Sequence, residues 1–372
     1  MSRRILYLQY TNPAGYPPLL HSAGMLAEAG WQVLFVGRPA EGAASLVLPA
    51  HEAIRYLQVD GAMAAHGVTR YAHFATRALL AGARFRPDWC YASDALSTPV
   101  ALMMRGVWRP RLLYHEHDAP PPAALRPRIR KARARLATRA DIVIAPSAER
   151  LALVPKGRGR RYVVWNCPRR SEVATGAAAP SGQHFRLVYH GSLSRDRLTP
   201  QFIDALRMLP AEVALEIYGY ETAGHRGYAA ELLQRAQAAG VGERVRYHGP
   251  VPARAELLAR LRGHQLGIAT IVAGADHNLD TLAGASNKAF EYLALGIPLL
   301  ISRDAAWQRL YQDPGYAVDC VPTDAASIAA AVRGLLADPG RARSMGEQGR
   351  ARIAAEWNYE TQFAPVLEQL SA

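Results

Sequence analysis

Short runs of aliphatic, β-branched and aromatic residues alternate with segments whose apolar positions recur at helical spacing, and the alternation continues over almost the whole chain. In the first half the runs predict strands at Arg4 to Gln9, Gln32 to Val36, Ile54 to Val59, Trp89 to Ala92, Arg111 to His115, Ile142 to Ala145 and Tyr162 to Trp165. After Arg169 the residues up to His184 are small and polar, the composition of a linker. The pattern restarts at Arg186 to Gly191 and continues through Val213 to Tyr218, Val245 to Gly249, Leu266 to Ile271, Pro298 to Ser302 and Tyr316 to Val321. Strands separated by helical segments imply α/β architecture, here two parallel sheets with crossover helices, whose ligands collect at the carboxyl ends of the strands. No G-x-G-x-x-G follows either first strand, which argues against a nicotinamide or flavin dehydrogenase.

The 372 residues and 50% hydrophobic content suit two domains of ordinary size, each able to bury its own core. Cys90, Cys167 and Cys320 have neither metal-ligand spacing nor an obvious disulfide framework, as expected of a chain in a reducing cytoplasm. The apolar run Ile5 to Leu8 is too short for a signal peptide, and no segment approaches the roughly 20 apolar residues of a membrane span. The expectation is a soluble or peripheral protein.

A net charge of +13 favours phosphorylated substrates, polyanions or anionic membrane surfaces. Its densest run is Arg126 to Arg139, in which Ile129, Ala132, Leu136 and Ala140 fall at helical spacing. That pattern fits either a basic amphipathic helix lying on a headgroup layer or a solvated helix covering a sheet with a narrow apolar stripe. Nucleic acid is not an expected partner, because no zinc module, RNA-recognition motif or run of stacking aromatics accompanies the charge.

The segment Ser286 to Pro298 carries the most chemistry. Good helix formers follow Ser286 and Asn287, either of which can cap the start, and Gly296 with Pro298 stops the helix before the next strand. Lys288 and Glu291 become i and i+3 neighbours. A diphosphate at the helix start would meet free N–H groups, the positive end of the dipole and the Lys288 ammonium, while Glu291 could accept from both ribose hydroxyls. The spacing alone equally describes a surface Lys–Glu pair. Of the 44 basic residues only Lys131, Lys156 and Lys288 are lysine, so Lys288 marks a point charge retained against a strong arginine bias.

Several blocks resemble the GT-B fold retaining glycosyltransferases of family 4 (glycosyl transferases group 1), and the resemblance spans essentially the full length. His190-Gly191-Ser192-Leu193-Ser194-Arg195-Asp196-Arg197 is similar to the family's strand-to-loop segment that holds the donor diphosphate, with Arg197 at the second basic position and Ser192 at the first, where Arg195 could substitute. Ser286 to Pro298 resembles the donor-domain signature, although the earlier glutamate of that signature is Ala283 here, leaving Asn287 or the loop from Ala273 to Ala285 to stand in. Val245 to Pro252 resembles the strand and loop whose backbone meets the nucleobase, here at Val251. Leu113-Tyr114-His115-Glu116-His117-Asp118 resembles the family's strand end with a His-acid pair, and Val164 to Pro168 its turn before the linker. Where the family has paired glycines after the first strand, Thr11 to Pro18 keeps Gly15 alone, next to Tyr16.

The resemblance implies two Rossmann-like domains facing across a deep cleft: an acceptor domain over 1–170, a linker over 171–184, a donor domain over 185–352, and a helix over 353–372 that crosses back to the first. It implies His117, Arg197 and Lys288 as catalytic residues, and Gly191, Ser192, Arg195, Arg197, Val251, Asn287, Lys288 and Glu291 around the donor. Gly15, Tyr16, Asp94, His117 and Asp118 are implied around the acceptor, Asp94 being equally a helix cap. The implied reaction moves a hexose from a UDP- or GDP-sugar, the co-substrate in place of a cofactor, to a saccharide or polyprenyl-diphosphate-linked acceptor in bacterial surface polysaccharide or glycolipid synthesis. No metal is implied, since the Asp-x-Asp motif of the other major glycosyltransferase fold is absent. The implied location is cytoplasmic, peripheral on the inner face of the membrane through the 126–139 helix. A GT-B epimerase or phosphorylase and a non-catalytic nucleotide-binding subunit are the alternatives.

Overall fold

The computed structural model describes residues 3–40, 42–60, 67–118, 120, 125–176, 185–274 and 277–372, so residues 177–184 of the expected linker lie outside the described residues. The chain divides into two compact units, one of Met1–Ala40, Leu48–Asn166 and Tyr359–Ala372, the other of Glu41–Val47 and Cys167–Asn358.

The first unit is built on a parallel sheet of order β3-β2-β1-β4-β5-β6-β7, from β1 Arg4–Leu8, β2 Gln32–Gly37, β3 Ile54–Gln58, β4 Trp89–Ala92, β5 Arg111–His115, β6 Ile142–Ala145 and β7 Arg160–Val163. Both faces are covered, which explains why its central strands read as continuous apolar runs rather than alternations. Ile5 and Tyr7 point into a core closed by the helices Pro17–Glu28 and Tyr359–Ser371, the latter through Tyr359, Phe363 and Val366. Leu6 and Leu8 point the other way, toward Phe74, Val100 and Leu136 of three more helices. β7 begins two residues earlier than expected, because its register runs from Ile142↔Arg160 to Ala145↔Val163 and ends where β6 ends.

The second unit has a parallel sheet of order β10-β9-β8-β11-β12-β13, from β8 Phe185–Leu193, β9 Val213–Glu221, β10 Val245–Gly249, β11 Leu266–Ala269, β12 Leu299–Ser302 and β13 Ala317–Cys320. β8 and β9 run further than the apolar pattern suggests: pairing continues from Phe185↔Val213 to Leu193↔Glu221, so Ser192 and Leu193 are strand residues and not loop. Gly191 sits at φ +97°, opposite Gly219, where a Cβ would run into the Gly191 carbonyl. Residues 42–47, which the sequence assigns to the first domain, pack in this unit, with Val47 N–H donating to Pro252 O at 3.1 Å. All three cysteines are free and buried. No helix among the described residues is long and apolar enough to cross a membrane.

Candidate functional site

The helix Asn287–Ala294 lies behind β8 and β11 in the second unit. Gly296 at φ +75° ends it, with Gly296 N–H donating to Leu293 O and Ile297 N–H to Tyr292 O, as the Gly–Ile–Pro sequence predicts. β11 pairs with β8 only as far as Val188, and beyond that point the Tyr292 hydroxyl completes the ladder, accepting from His190 N–H and donating to Val188 O, both at 3.0 Å. The Tyr292 ring fits against β11 because residue 267 is glycine; any Cβ there would strike it. The two sequence blocks that resemble phosphate-holding segments are thereby fastened to each other.

On this frame Lys288, half-buried, places Nζ 4.9 Å from the centroid of the Tyr189 ring and beside Gly191. Burial first, and then the Arg197 charge, pull the Lys288 ammonium down to about 7, against the opposing pull of Glu291. Arg197 Nη1 donates to Ser192 Oγ at 2.6 Å, while its carbonyl is held by Thr270 Oγ1 at 2.7 Å. Ser192 therefore orients the one arginine rather than supplying a second cation. Ser286 occupies the N-cap without a side-chain cap bond, and the buried Asn287 Oδ1 has no partner among the described residues. Two cations and a helix start thus gather beside a bare stretch of strand, an arrangement that suits an oxyanion.

Two expectations need correction. Lys288 and Glu291 do not pair: Glu291 is 2% exposed, its Oε1 lies 2.5 Å from Arg254 Nη1 and its Oε2 3.0 Å from His190 Nε2. Burial alone would raise the Glu291 carboxyl, but Arg254 and His190 outweigh it and hold it at about 2. It is the anchor of a charge network, and a ribose hydroxyl would share each of its oxygens with one of these partners. Arg195 is exposed, engages Glu231 with both terminal nitrogens and stacks 4.7 Å from the Tyr228 centroid, which turns it away from Lys288 and Arg197. Val251 is buried in the loop after β10, which leaves its backbone for the nucleobase contact expected there.

Arg254 escaped the sequence reading. Its Nε and Nη2 hold the Glu172 carboxylate at 2.5 and 3.1 Å while Nη1 holds Glu291. One signal was available: Arg254 opens the helix Arg254–Leu261, the end where the dipole disfavours a cation, so a basic residue there asks for buried acids nearby.

In the first unit the carboxyl ends of the strands carry the expected polar residues. His117 lies 3.6 Å, centroid to centroid, from His115 and 5.4 Å from Tyr16. Tyr91 Oη is 2.7 Å from His115 Nδ1. Burial, reinforced by the Arg150 charge, drops His117 to about 3, so the ring is neutral, and its buried Nε2 has no hydrogen-bond partner among the described residues. Glu116 is committed elsewhere, to the Tyr114 hydroxyl and to Arg133 Nε at 2.7 Å. Asp94 holds the turn before the helix Thr98–Trp108, its oxygens accepting from Tyr10 N–H at 2.5 Å and Ser97 N–H at 2.6 Å, and burial raises it to about 6. Asp118 is exposed. Gly15 ends a short 3₁₀ turn, Pro13–Gly15, capped by Asn12 Oδ1 on Ala14 N–H at 3.0 Å, so its backbone is used for the turn and Tyr16 follows at the turn's edge.

The basic helix is Pro127–Arg139. Leu136 and Ala137 are buried on the sheet and Arg133 turns inward to Glu116, so the apolar stripe is already covered and only its arginine face meets solvent. No group of metal ligands occurs among the described residues.

Residues 195–368 match the family model described as glycosyl transferase-like. None of the curated proteins matches the chain. Among solved structures, sucrose-phosphate synthase from Thermosynechococcus elongatus is similar at 17% identity with a TM-score of 0.75, covering 99% of each chain. HepE of Anabaena, in complex with UDP and glucose, is similar at 18% identity with a TM-score of 0.75 and 99% of each chain covered. WaaG, a glycosyltransferase involved in lipopolysaccharide biosynthesis, is similar at 16% identity with a TM-score of 0.68, over 97% of this chain and 98% of its own. Residues 195–368 thus match a glycosyl transferase-like family model, in a chain whose whole length has the fold of the GT-B glycosyltransferases.

Proposed function

We propose that the protein transfers a hexose from a nucleoside diphosphate sugar to a hydroxyl of a saccharide or lipid-linked acceptor, with retention of the anomeric configuration. The observation that carries this reading is the convergence of Lys288 and Arg197 beside Gly191 and the uncapped start of the Asn287–Ala294 helix. As the bond from sugar to phosphate breaks, negative charge grows on the diphosphate, and donors already fixed in place stabilise it without reorganising. The leaving phosphate takes the acceptor proton in the front-face route, so neutral His117 acts as a hydrogen-bonding partner for a sugar rather than as a proton carrier. The Anabaena neighbour's UDP and glucose favour a UDP-linked hexose, and the lipopolysaccharide role of WaaG favours a surface glycan as the product.

The acceptor reading extends to the surface of the first unit. The exposed Arg128, Arg130, Lys131, Arg135 and Arg139 adjoin the helix Thr98–Trp108, on which Met103, Val107 and Trp108 are exposed. Between the two helices lies a groove of about 580 Å³ lined by Met103, Arg105, Arg109, Arg135 and Arg139. Cations with an interleaved tryptophan suit an anionic lipid surface carrying a lipid-linked acceptor.

Thermal stabilisation across a panel of UDP- and GDP-sugars tests the donor assignment, since a ligand bound only by the native state raises stability with the logarithm of its concentration over its affinity. One nucleotide sugar should stabilise strongly and then turn over with an added acceptor. A panel without any stabilising member sinks the reading, and sugar release that ignores the acceptor converts it to an epimerase or phosphorylase.

A further inference from the structure

Arg38 follows β2 and is 8% exposed, yet among the described residues no carboxylate lies within ion-pair distance of it. Its Nη1 donates to Tyr10 Oη at 3.2 Å, its guanidinium lies 5.4 Å from the centroid of the Tyr10 ring, and its Nε is buried without a partner. The part-buried Arg133 and Arg254 behave differently: Arg133 has Glu116, and Arg254 has two glutamates. Asp94, the acid at this edge, has its oxygens on the backbone amides of Tyr10 and Ser97. A buried charge left unpaired is costly, and a fold that keeps one has a use for it.

Its position supplies that use. The strand order β3-β2-β1-β4 reverses direction at β1, and Arg38, Tyr10 and Asp94 follow β2, β1 and β4 at the carboxyl edge of that reversal, where doubly wound sheets bind ligands. Tyr10 packs against Tyr71 at 5.6 Å and edge-on to Phe74 at 5.1 Å, an aromatic floor beside a single forked cation. We propose that Arg38, with the Tyr10 hydroxyl, binds an oxyanion on the acceptor, a phosphate monoester or carboxylate of a sugar. Guanidinium and hydroxyl offer converging donors to such a group, and a neutral sugar leaves the buried charge unanswered. That the anion belongs to the acceptor rests on the transferase reading; the anion site rests on Arg38 and its surroundings alone.

The full chain is titrated with glucose 6-phosphate, glucuronate and glucose while the Arg38 Nε–H resonance, identified by its loss in Arg38→Gln, is followed by NMR. One of the two anionic sugars should move the resonance saturably and bind at least roughly tenfold tighter than glucose, and the arm that does so names the anion. Tyr10→Phe, which keeps the ring and removes the hydroxyl, should weaken that binding, so the test does not depend on Arg38→Gln folding. If neither anion moves the resonance beyond the effect of chloride at equal ionic strength, the site does not exist. UDP affinity measured alongside separates the two readings: UDP binding without anion binding overturns this inference alone, and anion binding without UDP binding upholds the site while removing its assignment to an acceptor.

Discussion

Arg254 and Arg38 are both largely buried guanidiniums near the carboxyl end of a parallel sheet, one in each unit, and they are treated in opposite ways. Arg254 is matched by two carboxylates, with His190 on the far oxygen of Glu291, whereas Arg38 has only a phenol. A compensated cation is scaffold, since its field is already answered inside the fold. An uncompensated one is poised toward something that comes and goes. In the second unit that poised role passes instead to Lys288 and Arg197, which no acid pairs among the described residues.

Removing each arginine tests this distinction with the largest expected effect. Arg254→Met should cost about 3–5 kcal/mol in chemical denaturation, because it strands Glu291 and Glu172 in a poorly hydrated site. Arg38→Met, by contrast, should leave stability within about 1 kcal/mol of the parent or raise it. Equal losses for the two variants would erase the difference between scaffold and poised cation.

Next in size, Lys288→Ala and Arg197→Ala should each lower UDP affinity and turnover by at least roughly tenfold, about 1.4 kcal/mol, through loss of a charge-assisted phosphate contact. Isothermal titration and steady-state kinetics check this, and parental values for either variant remove that residue from the site.

A subtler consequence concerns protons. Free Lys288 titrates near 7, so above that pH it is neutral in the free protein, and a bound diphosphate must draw a proton onto it. UDP affinity should therefore fall by up to about tenfold per pH unit above 7 for as long as bound Lys288 stays charged. Neighbouring groups do not supply that slope: Glu291 is held at about 2, and burial keeps His190 neutral. Lys288→Met should flatten the profile; a slope that survives it belongs to another group.

The smallest effect lies on the arginine face of the first unit. Arg135→Gln or Arg139→Gln should each weaken sedimentation with anionic liposomes by roughly 1 kcal/mol at low salt and by less at high salt. Parental protein that stays in the supernatant disposes of the membrane contact.

All thirteen strands were readable from apolar runs and turn residues, because each sheet is buried on both faces and leaves an unbroken apolar signature. What misled the reading was the end of β8, where Ser192 and Leu193 read as loop but continue the ladder with β9. Lys288 stood out by composition and helix position, both local properties. The partners of Glu291 did not, since Arg254 lies 37 residues away and reaches it only through the fold. Arg133 shows the same limit from the other side, counted as part of a membrane-facing charge run yet turned inward to an acid 17 residues earlier. Periodicity reports which face of a helix is apolar; it carries no information about which single cation on the boundary finds a buried counter-charge.

The Tyr292 hydroxyl, bridging Val188 and His190 where β11 departs, also makes the His190 amide a reporter. That amide sits beyond the end of the β11 ladder, yet it opens only when the Asn287–Ala294 helix lifts from the sheet. Its hydrogen–deuterium exchange should accordingly follow the protection of that helix rather than that of the neighbouring turn, and in Tyr292→Phe it should exchange far faster while the interior of the helix keeps its protection.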